Sequence, residues 1–157
     1  MEPVASPDVP DHVVDFLGDR KILTLATAEP GGTPHATTLV YVNDGPVLYV
    51  WLRASAATAA QLEKNSQVGF TIDEYADDWR QTKGVQGTGE CTTVSGEEMA
   101  KVADLFGQKF PDLRPGATST VSFYRLTPSE LHFIDNTRGS DDPDPDEYRR
   151  ESVLGSS

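Results

Sequence analysis

Residues 21–53 read KILTLATAEPGGTPHATTLVYVNDGPVLYVWLR, and this stretch decides the fold. Its first residues alternate as in a half-buried β-strand, with Ile22, Thr24 and Ala26 on one face and Leu23, Leu25 and Thr27 on the other. The turn segments EPGGTP and NDGP then separate three successive strands. Because a parallel crossover needs a dozen or more residues, these short turns predict antiparallel pairing and exclude a Rossmann-like fold.

Further strands are predicted on the C-terminal side, in the segments QVGFTID, VQGTGECTTV, STVSFYRLTP and ELHFID. Pro128 separates the last two, and since proline cannot donate to a ladder it predicts a bend or an edge there. Gly87 and Gly89 lie inside a strand pattern, which is typical of a bulge or a close backbone approach. Six or seven antiparallel strands therefore predict a mainly β fold, a closed or partly closed barrel.

Three short helices are predicted between the strands, where they would plug the openings of the barrel. The segment PDHVVDFLG places Val13, Phe16 and Leu17 on one helical face. In SAATAAQLEKN, Ser55 is the predicted N-cap. In SGEEMAKVADLFGQKF, Ser95 and Glu98 have the spacing of a capping box, and the predicted apolar stripe is Met99, Val102, Ala103 and Phe106.

The length of 157 residues fits one domain with a single core. Acidic residues and prolines concentrate at both ends of the chain, which lowers the capacity of the ends to bury apolar area. We therefore expect a flexible N-terminus over residues 1–10, a folded domain over 11–135, and an acidic, flexible tail over 136–157.

The formal net charge of −12 argues against nucleic acid as a partner. The sequence shows neither a signal peptide nor the roughly 20 consecutive apolar residues of a membrane span, so we expect a cytoplasmic protein without a membrane partner. Cys91 is the single cysteine and is expected to be a core residue. The three histidines, His12, His35 and His132, lack metal-ligand spacing, so no metal site is predicted.

Two segments carry residues suited to a phosphorylated, planar ligand. WLRASAAT runs from a strand into a helix, so Arg53, Ser55 and Thr58 could face an anion together with the first helical N–H groups; the alternative is an ordinary N-cap. WRQTKGVQ combines the stacking surface of Trp79 with Lys83 and the amide of Gln86; the alternative is a solvated loop with one packing tryptophan.

The order of these elements, with the segments WLRASAAT, LEKN, GVQGTGE and FYRLTPSELHFID, resembles the pyridoxamine 5′-phosphate oxidase-like family of FMN-binding split β-barrels. The resemblance covers nearly the whole predicted domain and implies a homodimer with two flavin sites at its interface. It assigns no catalytic residue. The implied cofactor-binding residues are Arg53, Ser55 and Thr58 around the phosphate, Thr37 and Thr38 beneath the isoalloxazine, Gln86 beside the ring or ribityl chain, and Trp79 and Lys83 from the partner subunit.

The chain departs from the family in two places. Many FMN-binding members carry a lysine where Thr58 stands here, in a pattern like S-x-K-x-x-x-L, and the substrate-contacting Arg and His near the C-terminus of true pyridoxamine phosphate oxidases are unmatched. The resemblance implies a flavin-dependent oxidoreductase using FMN, or alternatively the 8-hydroxy-5-deazaflavin coenzyme factor 420. The other possibility on the same fold is a non-catalytic protein that binds or stores a flavin, a deazaflavin or haem.

Overall fold

The computed structural model describes residues 8–53, 55–113, 121–137 and 150–155. Most of the predicted flexible ends, residues 1–7, 138–149 and 156–157, lie outside the described residues. The described helices are α1 (Asp11–Asp19), α2 (Ala57–Lys64) and α3 (Glu97–Lys109), with a single 3₁₀ turn at Trp79–Gln81. The described strands are β1 (Ile22–Ala28), β2 (Pro34–Asp44), β3 (Val47–Arg53), β4 (Gln67–Glu74), β5 (Lys83–Thr93), β6 (Val121–Asp135) and β7 (Arg150–Leu154).

The strands form one antiparallel sheet in the order β3-β2-β1-β4-β5-β6-β7. An additional pairing of β3 with β6 closes the first six of them into a barrel, and β7 lies outside it against the second half of β6. The two hairpins predicted from residues 21–53 are confirmed, since β1 pairs with β2 and β2 with β3 in antiparallel register. The prediction of an antiparallel barrel with short flanking helices is therefore confirmed.

The interior of the barrel is filled by alternate side chains of the strands and sealed by α1 and α2. Leu23 and Leu25 are buried on β1, and Val13 and Leu17 of α1 are fully buried in the same cluster. The Tyr41 hydroxyl donates a 2.5 Å hydrogen bond to the Leu17 carbonyl, which ties β2 to the end of α1. Such a bond satisfies a phenol that would otherwise be buried without a partner.

Helix α3 covers β2 and β3 from outside and forms a second apolar cluster. Val102 and Phe106 pack there against Val42 and Tyr49, and the Phe106 ring stacks on Phe123 with centroids 5.5 Å apart. The strand VLYVWLR is thus covered on both faces from Val47 to Leu52, which fits its β-branched and aromatic content. The predicted α3 stripe is narrower than expected, because Met99 is 47% exposed and Ala103 is also exposed.

Both predicted serine caps are wrong. The residue before α2 is Ala56 and the residue before α3 is Gly96, and neither helix start has a side-chain capping hydrogen bond. Gly96 has a φ of 65°, a conformation that serine adopts only with strain, so the chain turns into α3 one residue after Ser95. Glu98 is then free to accept a hydrogen bond from Arg125 on β6.

The division into two strands at Pro128 is wrong, because β6 runs without interruption from Val121 to Asp135, and the irregularity at the proline is one of pairing. Instead, the pairing of β5 with β6 shifts register there: Thr88 pairs with Glu130, and Gly89 with Pro128. A Cβ on Gly89 would lie 2.3 Å from the Thr127 carbonyl oxygen, so the irregularity needs a glycine. The prediction that Gly87 and Gly89 mark a bulge or a close backbone approach is confirmed.

Two features of the fold were not predicted from the sequence. Val9, two residues before α1, is buried in the barrel cluster. Strand β7 pairs with β6 although its residues follow the acidic stretch. Cys91 is buried as predicted, and burial raises the pKa of its thiol to about 12, so it stays protonated at neutral pH.

Gly87 is a second position that the barrel requires to be glycine. A Cβ there would lie 2.6 Å from the Phe70 ring and 2.7 Å from the Glu130 carbonyl oxygen. We expect Gly87→Ala to lower the free energy of unfolding by roughly 1–3 kcal/mol, the usual cost of overpacking. Urea unfolding measures it. As control, Gly107→Ala in α3, where a Cβ meets nothing within 4 Å, should stabilise by about 0.4–1 kcal/mol; equal effects of the two variants would contradict the packing argument.

Lys109, at the end of α3, has a buried ammonium group. Its Nζ lacks a hydrogen-bond partner in the described part of the chain and lies 4.2 Å from the centroid of the Tyr41 ring. Desolvation, together with the charge of Lys21, lowers its pKa to about 8 from the usual 10.5, while Asp19 opposes the shift.

A folded-state pKa below the unfolded value means that the unfolded chain binds more protons between about pH 8 and 10.5, so this group adds stability as pH rises through that window. We therefore expect Lys109→Met to raise the urea midpoint at pH 7 and to lose this advantage progressively as the pH rises from about 8 to about 10.5. Lys101→Met, whose ammonium pairs with Asp44 at the surface, is the control and should not gain stability at pH 7. An advantage of Lys109→Met that is constant across pH would assign the effect to packing alone.

Candidate functional site

The barrel is split between β2 and β3. These strands pair with each other only where residues 41–44 face 47–50. Beyond that point residues 34–40 of β2 pair with β1, and residues 51–53 of β3 pair with β6. The two strands therefore diverge and leave an opening that runs to the start of α2.

Helix α2 closes the end of the barrel beneath this opening. The Thr58 hydroxyl lies 3.1 Å from the Thr37 hydroxyl, and the Thr27 hydroxyl donates to the Gln61 amide oxygen. Thr58 and Gln61 are 6% and 5% exposed, so these contacts satisfy polar groups inside the fold. Thr58 is thus held by Thr37 and is not an exposed hydroxyl at the helix start.

Arg53 and Ser55 are exposed at the end of β3, immediately before α2. The Ala56 N–H donates to the Arg53 carbonyl at 2.9 Å, which fixes the turn between strand and helix. Five ion pairs occur among the described residues, and none of them includes Arg53. Among the described residues the Arg53 guanidinium thus has no carboxylate partner, and Arg53 precedes the positive end of α2 by four residues.

A row of polar side chains crosses the outer face of the sheet. The ladder registers place these residues side by side on consecutive strands from β2 to β7: Thr38, Thr24, Thr71, Gln86, His132 and Ser152. A parallel row of small residues lies beside it: Ala36, Ala26, Gly69 and Thr88. We call the first of these the polar row. Two predicted residues, Thr38 and Gln86, belong to it.

A cavity of about 360 Å³ lies over these two rows. Small residues and the Phe70 ring contribute to its floor, and the Gln86 amide lies among them. Its charged or ionisable lining residues, Glu130, His132 and Arg150, were not among the predicted site residues. The complete lining is Thr24, Ala26, Gly69, Phe70, Thr71, Gln86, Gly87, Thr88, Glu130, His132 and Arg150.

Trp79 and Lys83 lie at the other end of the barrel from α2. Strand β4 connects the two ends, and its eight residues span roughly 25 Å. The Trp79 carbonyl accepts from the Asn136 side chain at 3.0 Å, and the Arg80 guanidinium lies 5.4 Å from the Trp79 ring centroid. Within one chain, Trp79 and Lys83 cannot reach a small ligand bound beside Arg53.

Strand alternation separates two further pairs of predicted residues. Thr37 points to Thr58 under α2, so its neighbour Thr38 points to the outer face. In the same way Gln86 faces outward, while Lys83, three residues earlier on β5, points to the opposite side. The structure thus groups Thr37 with Thr58, Arg53 with Ser55, and Thr38 with Gln86.

Two structural features are absent from the described ranges. No three side chains of histidine, cysteine or carboxylate type there are grouped closely enough to hold a metal ion. None of the described helices has both the length and the apolar character needed to cross a bilayer.

This architecture was compared with protein families and solved structures. Residues 9–135 match the family model described as pyridoxamine 5′-phosphate oxidase, whereas no curated protein sequence is significantly similar. The conserved hypothetical protein Rv2991 of Mycobacterium tuberculosis has 17% identity and a TM-score of 0.70, covering 94% of this chain and 100% of its own. HutZ, the haem storage protein of Vibrio cholerae, has 23% identity and a TM-score of 0.65, covering 78% and 92%.

A FAD-binding protein of Mesorhizobium loti has 17% identity and a TM-score of 0.62, covering 78% of this chain and 92% of its own. At such identities these structures share the fold, and their ligands differ from one to the next. The family match, by contrast, spans α1 and all six strands of the closed barrel. The chain therefore belongs to the pyridoxamine 5′-phosphate oxidase-like family of split β-barrels.

Proposed function

We propose that this protein is a flavin-dependent oxidoreductase that binds FMN in the split between β2 and β3, at the interface of a homodimer. The flavin would supply the redox chemistry, and the protein would supply binding, orientation and exclusion of water. The observation that carries the proposal is Arg53 at the end of β3: it is exposed, it forms no ion pair among the described residues, and strand alternation from the buried Leu52 puts it on the outer face that carries the polar row.

The phosphate is assigned to Arg53, Ser55 and the first N–H groups of α2. A helix N-terminus favours an anion by a few tenths to about 1 kcal/mol, and a charge-assisted arginine bond contributes roughly 1.5–3 kcal/mol. Thr58 has no cation to offer, and its hydroxyl already contacts Thr37. Arg53 therefore supplies most of the phosphate affinity in this site.

The ring is assigned to the outer face beside the polar row. The small side chains of Ala26, Ala36 and Gly69 allow a flat ring to approach the sheet closely. The amide of Gln86 can both donate and accept, which matches the mixed hydrogen-bonding edge of a flavin. The residues present thus fit a planar, phosphorylated cofactor.

The homodimer follows from what one chain leaves incomplete. Ile22 is 52% exposed on the outer face, and exposed apolar surface on a sheet is commonly covered by a partner. Trp79 and Lys83 lie a barrel length from Arg53, so a second subunit is needed to bring them to the cofactor. We therefore assign these two residues to the flavin site of the neighbouring subunit.

Haem binding without catalysis is the second candidate, and His132 favours it. This imidazole lines the cavity beside Gln86, where it could ligate an iron. The absorption spectrum of the purified protein separates the candidates: a flavin spectrum supports the oxidoreductase. A Soret band that disappears in His132→Ala would instead identify a haem-binding protein. A deazaflavin would differ from FMN in the mass of the extracted ligand.

Arg53→Gln tests the phosphate assignment. We expect FMN affinity to fall roughly ten- to a hundredfold, because a charge-assisted bond is lost, while riboflavin, which lacks the phosphate, binds as before. Quenching of flavin fluorescence measures both. The control is Lys64→Gln at the other end of α2, whose ammonium already pairs with Glu29 and should not affect FMN. Equal losses for FMN and riboflavin would place the phosphate elsewhere.

Light scattering tests the dimer. We expect a mass of twice 17.1 kDa for the natural chain, and a shift toward the monomer with weaker FMN binding for Ile22→Glu, which puts a charge into the proposed interface. Met99→Glu is the matched control, because Met99 is similarly exposed but lies on α3. A monomeric natural chain at micromolar concentration would remove the shared site.

A further inference from the structure

The geometry points to a carboxylate-binding subsite at the β6–β7 end of the cavity, formed by Arg150 and His132, that takes a small aromatic acid as the substrate. This inference rests on the proposed function, since the acid would lie beside the flavin. It adds the chemical class of the substrate and the residue that selects it.

Arg150 is the group that defines the subsite. It begins β7 opposite Ile134 on β6, and its side chain lines the cavity. Within the described residues its guanidinium forms no ion pair, although the protein carries an excess of carboxylates. An arginine that lines a cavity and is not paired with any described carboxylate is suited to the planar, bidentate recognition of a carboxylate ligand.

The two ends of the cavity differ in the charge of their side chains. His132 lies on β6, one step of the outer face from the residue that Arg150 pairs with, and its imidazole can donate a hydrogen bond. Glu130 lies at the other end, two steps along the sheet and therefore about 13 Å from the Arg150 position. An acid would therefore bind with its carboxylate toward β7 and its apolar part away from Glu130.

The floor of the cavity selects a flat body of modest size. Gly87 projects no side chain into this end of the cavity, and the Phe70 ring lies beneath it. A volume of about 360 Å³ lies at the small end of ligand pockets. A single aromatic ring with a carboxylate fits these limits.

Strand β7 lies outside the segment that matches the family, which ends at residue 135. The carboxylate subsite is therefore not implied by family membership. It arises from the local pairing of residues 131–134 of β6 with β7, which places Arg150 on the outer face.

Titration of the full-length protein with benzoate tests the subsite directly. The readout is the His132 ring signals in a ¹H–¹³C NMR spectrum, assigned by their loss in His132→Gln. We expect benzoate to shift them and benzamide, which has the same shape without the charge, to bind at least tenfold more weakly. Arg150→Gln should weaken benzoate by roughly tenfold or more, and Arg150→Lys, which keeps the charge but not the fork, by less.

Glu151→Gln is the matched control on the same strand. Glu151 pairs with Phe133 and alternates to the other face, so its substitution should leave benzoate affinity unchanged. Urea unfolding of Arg150→Gln verifies that β7 stays paired with β6. If the variant loses this pairing, the subsite is tested by comparing benzoate with benzamide on the natural chain. Equal binding of the two probes, or absence of any shift at His132, would overturn the subsite.

The same samples separate this inference from the function on which it rests. FMN binding is measured independently by flavin fluorescence, and Arg150→Gln should leave it within about twofold. Benzoate binding that fails while FMN binds would overturn the subsite alone. FMN binding that fails while benzoate still shifts His132 would overturn the flavin assignment and leave an acid-binding protein.

Discussion

The shift of register between β5 and β6 is the constraint on which the rest of the structure depends. Leu126 and Leu131 are both fully buried, yet they are five residues apart and would face opposite sides of a regular strand. The irregularity opposite Gly89 restores the inward direction after Pro128. Without it, His132 and Glu130 would point into the core, and the polar row would end at Gln86. One glycine thus allows β6 to belong to the barrel in its first half and to line the cavity in its second.

The elements that sequence reasoning predicts well are those specified by local signals. Alternation in β1, glycines in the two turns, and the apolar face of α1 each lie within a few residues, and these predictions are confirmed. The same reasoning failed where a distant contact decides. Pro128 predicted a boundary between two strands, but β6 continues through it with a shift of register opposite Gly89. Ser55 was predicted as the N-cap of α2, but Ala56 precedes the helix. Strand β7 has five residues and little apolar content, so only its pairing with β6 shows it.

The candidate site shows the same division. The junction of β3 and α2 was predicted, because a strand followed by a helix start is visible in sequence, and Arg53 and Ser55 are indeed exposed there. The sequence could not show that Thr37 and Thr38 point to opposite faces of the sheet, or that the Thr58 hydroxyl already contacts the Thr37 hydroxyl. Such facts depend on strand direction and on the position of α2 over the barrel. His132 was noted only as an isolated histidine, because the other members of the polar row come from five other strands.

The distribution of arginines gives an independent reason to regard the outer face as a binding surface. Among the described residues, Arg20, Arg80 and Arg125 each lie within ion-pair distance of a carboxylate, whereas Arg53 and Arg150 do not. The chain has 25 acidic and 13 basic residues, so a shortage of carboxylates cannot explain the difference. Surface ion pairs contribute little to stability, so their absence costs the fold almost nothing. An arginine kept apart from an abundant partner retains its full capacity to bind an anion from solution. The two that are kept apart lie at the split and at the far end of the polar row, which favours one extended site for ligands that carry negative charge.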